Sequence, residues 1–359
     1  MSSIVAAEPA TEPRAWLSVG RAFLHPAFDL LVIGGGLSLL VVAVLRLEGP
    51  TVVSALMLGA LPAIVLFVNS AHFAASTVRL YTKAGSFQDL PLLTMVLPLV
   101  TILIVSLSVW HADVVGRHLV ALYLTWSPYH YARQAYGIGV MYCYRSKCIL
   151  TPGEKRLLLL TALTPFAYAF LDASGSGIEW FVAPTLFLGH PYLYELRGAL
   201  VLGLGFATFA LPILLFGFLA LRGKTLPLLT LAILVSNGVW WVTLSYMDAF
   251  IWATIFHGLQ YLAITLIFHV RERTAQPGNQ RGVLFHAGIF YLWCLVLGYL
   301  LFQVWPYAYR AAGFGWAESL LLTTAAINIH HFIVDAYIWR IRKDSNYRVV
   351  VGVPAAAPA

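Results

Sequence analysis

Five histidines lie inside long apolar stretches of the chain: His72, His130, His257 and the adjacent pair His330 and His331. An ionisable side chain in such a stretch is expensive and faces a bundle interior or a cavity. His72 precedes the basic residue Arg79 by 7 positions, His130 precedes Arg145 by 15, His257 precedes Arg271 by 14 and His331 precedes Arg340 by 9. If each stretch is a helix, the imidazoles sit roughly 10 to 22 Å from one common boundary. Imidazole suits iron, copper or zinc, whereas calcium and magnesium want oxygen. With one carboxylate, Asp335, four residues after His331, iron is the first expectation, as one ion or two. Zinc-dependent hydrolysis would bring a general base such as the Glu of HExxH, and the sequence has no HExxH.

The neighbours of these histidines repeat. His72 is followed by Phe73 and Ser76, His130 by Tyr131 and Gln134, His331 by Phe332 and Asp335. An aromatic comes next, and a polar group comes at i+4 on the same helix face. Gln260 and Tyr261 follow His257 by three and four, while Asn69 and Asn328 precede His72 and His331 by three. The expected metal ligands are therefore His72, His130, His257, His330, His331 and Asp335, with Asn69, Ser76, Gln260 and Asn328 fixing ring tautomers. His330 and His331 point about 100° apart on a helix, which leaves open that one of them is not a ligand.

Arg133 and Gln134 are the candidate catalytic groups, placed to bind a polar end of the substrate. Trp126, Tyr129, Tyr136, Trp240, Trp241 and Tyr261 are candidates to line an apolar pocket, and Pro128 is expected to kink its helix beside His130. A plainer alternative stands beside all of this. Intramembrane His, Asn and Gln hold bundles together by hydrogen bonds alone, and Asp335 could simply pair with Arg133. The other six histidines (His25, His111, His118, His190, His269 and His286) fall near helix ends or in loops.

The elements that must carry these residues follow from composition. Of 359 residues, 60% are hydrophobic and 10% charged, against about 25% charged in an ordinary soluble domain. Such a chain is neither a soluble globule nor disordered. The fold class is an all-α, polytopic membrane helix bundle of about ten spans: 27–46, 52–80, 90–110, 114–143, 156–173, 198–221, 225–246, 248–270, 283–305 and 315–339. The stretch 174–197, rich in Gly, Pro and aromatics, reads as re-entrant or interfacial. With an inside N-terminus, 17 of the 22 Lys and Arg fall in alternate loops on one side, so both termini are expected in the cytoplasm. The net charge of +7 is then a topology signal and predicts no nucleic-acid partner.

Residues 1–26 form the expected cytoplasmic N-terminal segment, without a cleavable signal peptide. Residues 27–340 form the transmembrane domain, and 341–359 a cytoplasmic tail ending in disordered VPAAAPA. Cys143, Cys148 and Cys294 have no metal or haem-attachment spacing, and the first two are expected as reduced cytoplasmic thiols.

The stretches AHFAAS, YHYARQAYG, FHGLQYL and NIHHFIVDAYIWR resemble those of membrane-embedded, His-rich non-haem iron oxygenases. These are the lipid desaturases and hydroxylases and the bacterial carotene-cleaving dioxygenases. They also look like segments of uncharacterised bacterial polytopic membrane proteins. The chain departs from the desaturases in having no HxxxH or HxxHH box, and places one ligand per helix, nearer the carotene-dioxygenase style. The resemblance implies an iron-dependent oxygenase or oxidase in a bacterial inner membrane, acting on a lipid or other lipophilic substrate with dioxygen and an electron donor. The rival expectations are a haem-binding electron carrier, a proton- or ion-coupled transporter using His, Asp335 and Arg133, and a structural subunit.

Overall fold

The computed structural model describes residues 18–48, 59–83, 85–339 and 350. Among them the regular structure is helical, with no strand. Helices α1 (Pro26–Ile33) and α2 (Gly36–Leu47) form a pair bent by 52°. Next in the chain come α3 (Leu61–Thr82), α4 (Leu92–Trp110), α5 (Arg117–Arg145), α6 (Pro152–Asp172), α7 (Pro191–Leu221), α8 (Leu228–Thr243), α9 (Tyr246–Thr274), α10 (Val283–Ala311) and α11 (Trp316–Ile338).

Six of these, α3, α4, α7, α9, α10 and α11, are long and apolar enough to cross a bilayer, and the bent pair α1–α2 makes a seventh if it is one span. The protein is an all-helical membrane protein. Length and composition alone do not reach the expected ten. α5 carries Arg117, Arg133 and Arg145, α6 has charges at both ends, and α8 has 16 residues, about 24 Å of helix against a core of about 30 Å. Residues 52–58 of the expected second span, 1–17 of the N-terminal segment and the tail from 340 onward (Val350 apart) lie outside the described residues.

Burial sorts the helices into core and rim. In their most apolar stretches α9 is 67% buried and α11 61%, against 22% for α7 and 17% for α10. α7 and α10 accordingly turn Leu202, Phe206 and Leu284 outward, as a lipid-facing surface requires.

Three local devices set the inner helices. In α3 a π-helical turn, Val65–Ser70, ends two residues before His72; such a turn rotates the next residues about the helix axis, and is frequent at functional sites. Beyond it Ala71, Ala74 and Ala75 are fully buried. A Cβ on Gly298 of α10 would lie 2.8 Å from the Ser70 carbonyl oxygen, so these two helices approach backbone to backbone. In α5, Pro128 removes an N–H, and the Leu124 carbonyl four residues earlier accepts from the Tyr246 hydroxyl instead, at 3.1 Å. Between α1 and α2, Gly35 adopts φ +80°, and its missing side chain makes room for Ser236. At this break the Ile33 carbonyl accepts from the Gln260 amide at 2.8 Å, while the Ser236 hydroxyl lies 3.4 Å from the Gly34 carbonyl and 3.1 Å from that of Ile233.

The stretch expected as re-entrant or interfacial forms two short helices, Ile178–Phe181 and Pro184–Gly189, before α7 begins at Pro191. Gly177 N–H donates to Thr125 Oγ1 at 2.8 Å and Arg197 pairs with Glu179 at 2.8 Å, tying the segment to the ends of α5 and α7. At the start of α6, Thr151 and Glu154 form a reciprocal capping box. Burial alone would raise the Glu154 carboxyl, but the Lys224 ammonium and the Thr151 N–H and hydroxyl outweigh it and hold it below its usual range. Its contribution is thus present above the ordinary carboxylate pKa and lost as pH falls through the lowered one. Thr151→Ala is expected to cost about 1 kcal/mol, read as a lowered unfolding midpoint in detergent.

Candidate metal centre

Helices α3, α5, α9 and α11 each deliver one imidazole to a common layer. The His72 ring centroid lies 5.2 Å from those of both His257 and His331. That of His130 lies 4.9 Å from His257 and 5.2 Å from His331. These four pairs meet at interplanar angles between 72° and 89°, and His257 and His331 face each other at 6.4 Å. Two sets of donor atoms lie mutually within 4.8 Å: His72, His257 and His331, and His130, His331 and Asp335. All five residues are buried.

The hydrogen bonds around this ring are incomplete in a consistent direction. Both nitrogens of His72, both of His257, and Nε2 of His130 and of His331 have no hydrogen-bond partner. The Val68 and Asn69 carbonyls lie near His72 without forming a well-aligned bond. Buried polar atoms are almost always paired; here unpaired nitrogens from four helices gather in two overlapping groups that could hold a metal ion.

The Ser76 hydroxyl lies 3.1 Å from the Phe73 carbonyl oxygen and 2.9 Å from His331 Nδ1. When its hydrogen goes to Phe73, Ser76 accepts from His331, which then carries its proton on Nδ1 and its lone pair on Nε2; when it goes to His331, the proton of the ring is on Nε2. Asp335 Oδ1 accepts from the Tyr261 hydroxyl at 2.6 Å, leaving Oδ2 3.4 Å from His331 Nε2 and 3.6 Å from His130 Nε2. In the first of these tautomers an imidazole lone pair and a carboxylate oxygen face each other at 3.4 Å. A cation or a proton belongs between them.

The walls are aromatic. Phe332 stacks on His130 at 4.4 Å, Phe73 lies 3.8 Å from the His72 ring and Tyr131 4.4 Å from His257. Trp126 packs on Phe332 at 5.8 Å. On α9, Gly258 is the contact that admits His72, because a Cβ there would lie 2.6 Å from Nδ1.

No protein-family model matches the chain, and it has no significant match to a curated protein or a solved structure. The residues must carry the reading alone. Of the expected ligands, His72, His130, His257, His331 and Asp335 come together, and Ser76 orients His331. His330 does not join them: one step further round α11, its Nδ1 lies 2.8 Å from Thr101 Oγ1 on α4. Asn69 and Asn328 sit one turn away, each with a buried, unpartnered Oδ1, and Asn328 Nδ2 donates to the Thr324 carbonyl at 2.7 Å. Gln260 serves the broken helix and touches no imidazole nitrogen.

Neither member of the expected catalytic pair bonds to an imidazole or to the carboxylate of the cluster. Arg133 is exposed, with its guanidinium 5.5 Å from the Tyr136 ring on its own helix. It does not meet Asp335, whose partners are Tyr261, His130 and His331. Gln134 donates to the His257 carbonyl at 3.1 Å, a link between α5 and α9. Arg133→Gln is therefore expected to leave metal content unchanged. Trp240 and Trp241 are core residues, Trp240 stacked with Phe256 and Trp252. Sequence reasoning missed Trp339, whose Nε1–H donates to Tyr261 at 3.3 Å, and it named Tyr261 only as a pocket aromatic, whereas its hydroxyl is the carboxylate's partner. The signal was present: Tyr261 is i+4 from His257 and Trp339 i+4 from Asp335.

Proposed function

We propose that this chain is a membrane-embedded oxidoreductase whose non-haem iron is held by His72, His130, His257 and His331, with Asp335 beside them. It would act on a lipophilic substrate, reached from lipid, with dioxygen and an electron donor. The observation that carries the reading is the clustering of unpartnered imidazole nitrogens from four helices, two of them beside one carboxylate. The donor set fits a first-row transition metal, and such an ion would supply dioxygen binding and reduction. Tyr261 holds the carboxylate in place, Ser76 holds His331, and the aromatic walls keep water out. One ion suits the geometry better than two. His331 belongs to both donor sets, and Ser76 occupies its Nδ1, leaving a single nitrogen to coordinate.

The chemistry at these four helices suits a ten-span bundle with both termini in the cytoplasm, with α5, α6 and α8 crossing in the shelter of their neighbours. The alternation of Lys and Arg supports that orientation. Haem is disfavoured, since rings in edge-to-face contact leave no slot for a macrocycle. A transporter draws one supporting feature, the broken pair α1–α2. Yet the Ile33 carbonyl freed there is taken by the Gln260 amide.

The test is to purify the protein in detergent, quantify its metals and record its absorption spectrum. Iron without a Soret band, and oxygen uptake on adding reductant and membrane lipid extract, is the expected result. Metal-free folded protein, or a Soret band, would overturn the proposal.

A further inference from the structure

A second polar site lies where α3 and α9 end. A cleft of about 210 Å³ is lined there by Arg79, Lys83, Arg273, His269 and Glu272, with Thr82 and Gln276 completing the wall. Three of the seven lining residues are cations and one is a carboxylate, so the lining carries two net positive charges with His269 neutral. Arg79 is the built part. Its side chain is 1% exposed and pairs with Glu272 at 2.9 Å. Its guanidinium carbon also lies 5.0 Å from the Trp339 ring and 5.6 Å from the Phe268 ring.

Bases in a last turn can serve only to offset helix carbonyls. Arg273 does this, donating from Nη2 to the Thr82 carbonyl, but that carbonyl is a neutral partner and leaves the charge of Arg273 in the cleft. A preorganised, buried guanidinium with further bases between two helices, at the end the basic residues assign to the cytoplasm, is a phosphate-recognition arrangement. We infer that this cleft binds a phosphate group, that of an anionic phospholipid headgroup or of a soluble phosphate compound. The inference does not depend on the metal centre. Arg79 lies two turns beyond His72, about 10 Å along α3, and the ligand would close the bundle beneath the imidazole layer.

The test uses the full chain in nanodiscs of phosphatidylcholine alone, of phosphatidylcholine with phosphatidylglycerol, and of phosphatidylcholine with sodium phosphate added. Native mass spectrometry counts retained lipid, and thermal unfolding reports stabilisation. One phosphatidylglycerol held per chain, bound at least about tenfold more weakly by the double variant Lys83→Gln/Arg273→Gln, supports a headgroup site. Stabilisation by sodium phosphate that this variant loses supports a soluble ligand at the same cleft. Arg310→Gln, at the far end of α10, should behave as the wild type in each arm. If the double variant does not fold, Lys83→Gln, which leaves the Arg273 bond to Thr82 intact, should give an intermediate loss. Equal lipid retention and equal phosphate response in wild type and the folded variants would overturn the inference.

Discussion

His257→Ala and His331→Ala are each expected to lower the affinity for bound metal by more than about tenfold. Loss of a residue that merely orients a ligand already costs 10–100-fold. The same substitution at His330 is expected to leave metal content at the wild-type level, because that ring is bonded to Thr101 and faces α4. His190→Ala, in the loop before α7, serves as a second control. The adjacent pair is the sharper comparison: removing His330 or His331 deletes the same atoms from neighbouring positions of one helix, and only the direction of the side chain differs. Metal analysis after desalting, with helix content by circular dichroism, reads the result. Equal retention in His330→Ala and His331→Ala would contradict the assignment, whatever the metal.

Gly258→Ala tests the centre from behind. In a helix interior alanine is favoured over glycine by about 1 kcal/mol, so on propensity alone the substitution should stabilise α9. Here the new Cβ would lie 2.6 Å from His72 Nδ1 and 3.0 Å from Cγ, closer than non-bonded atoms come. His72 is fully buried between α9 and the Phe73 ring, so its ring must turn out of the layer. The expected outcome is a metal affinity lowered about tenfold or more with the helical spectrum unchanged. Wild-type affinity in folded Gly258→Ala would show that the position of His72 does not matter to binding.

How much of this was legible in the sequence depended on whether a side chain's role is set by its own helix or by a neighbour. Helical spacing placed Ser76, His331 and Asp335 correctly, since one face of a helix is a local property. The common depth of His72, His130, His257 and His331 came from counting to the next base, because the bilayer imposes one boundary on every helix. Gln134 and Gln260 share the i+4 and i+3 spacing yet turn to backbone carbonyls of other helices, a choice made by packing. Arg133 sits three residues from His130, about 60° from it around the helix, and still faces outward. The break in the first span was not anticipated, although Gly34–Gly35–Gly36 carries its signal, and the π-helical turn before His72 has no sequence signature that helical spacing reveals. The number of spans is where composition reads least well: α5 carries three arginines, yet many of its residues are buried.

X-ray absorption at the K-edge of whatever metal copurifies tests the central claim most directly, since it counts imidazoles around the ion. Multiple-scattering features of three to four imidazoles on one metal per chain, reduced by one in His257→Ala, are the predicted result; this range comes from the four converging rings. A first shell without imidazole, or a folded chain that binds no transition metal at stoichiometric level, would contradict the account.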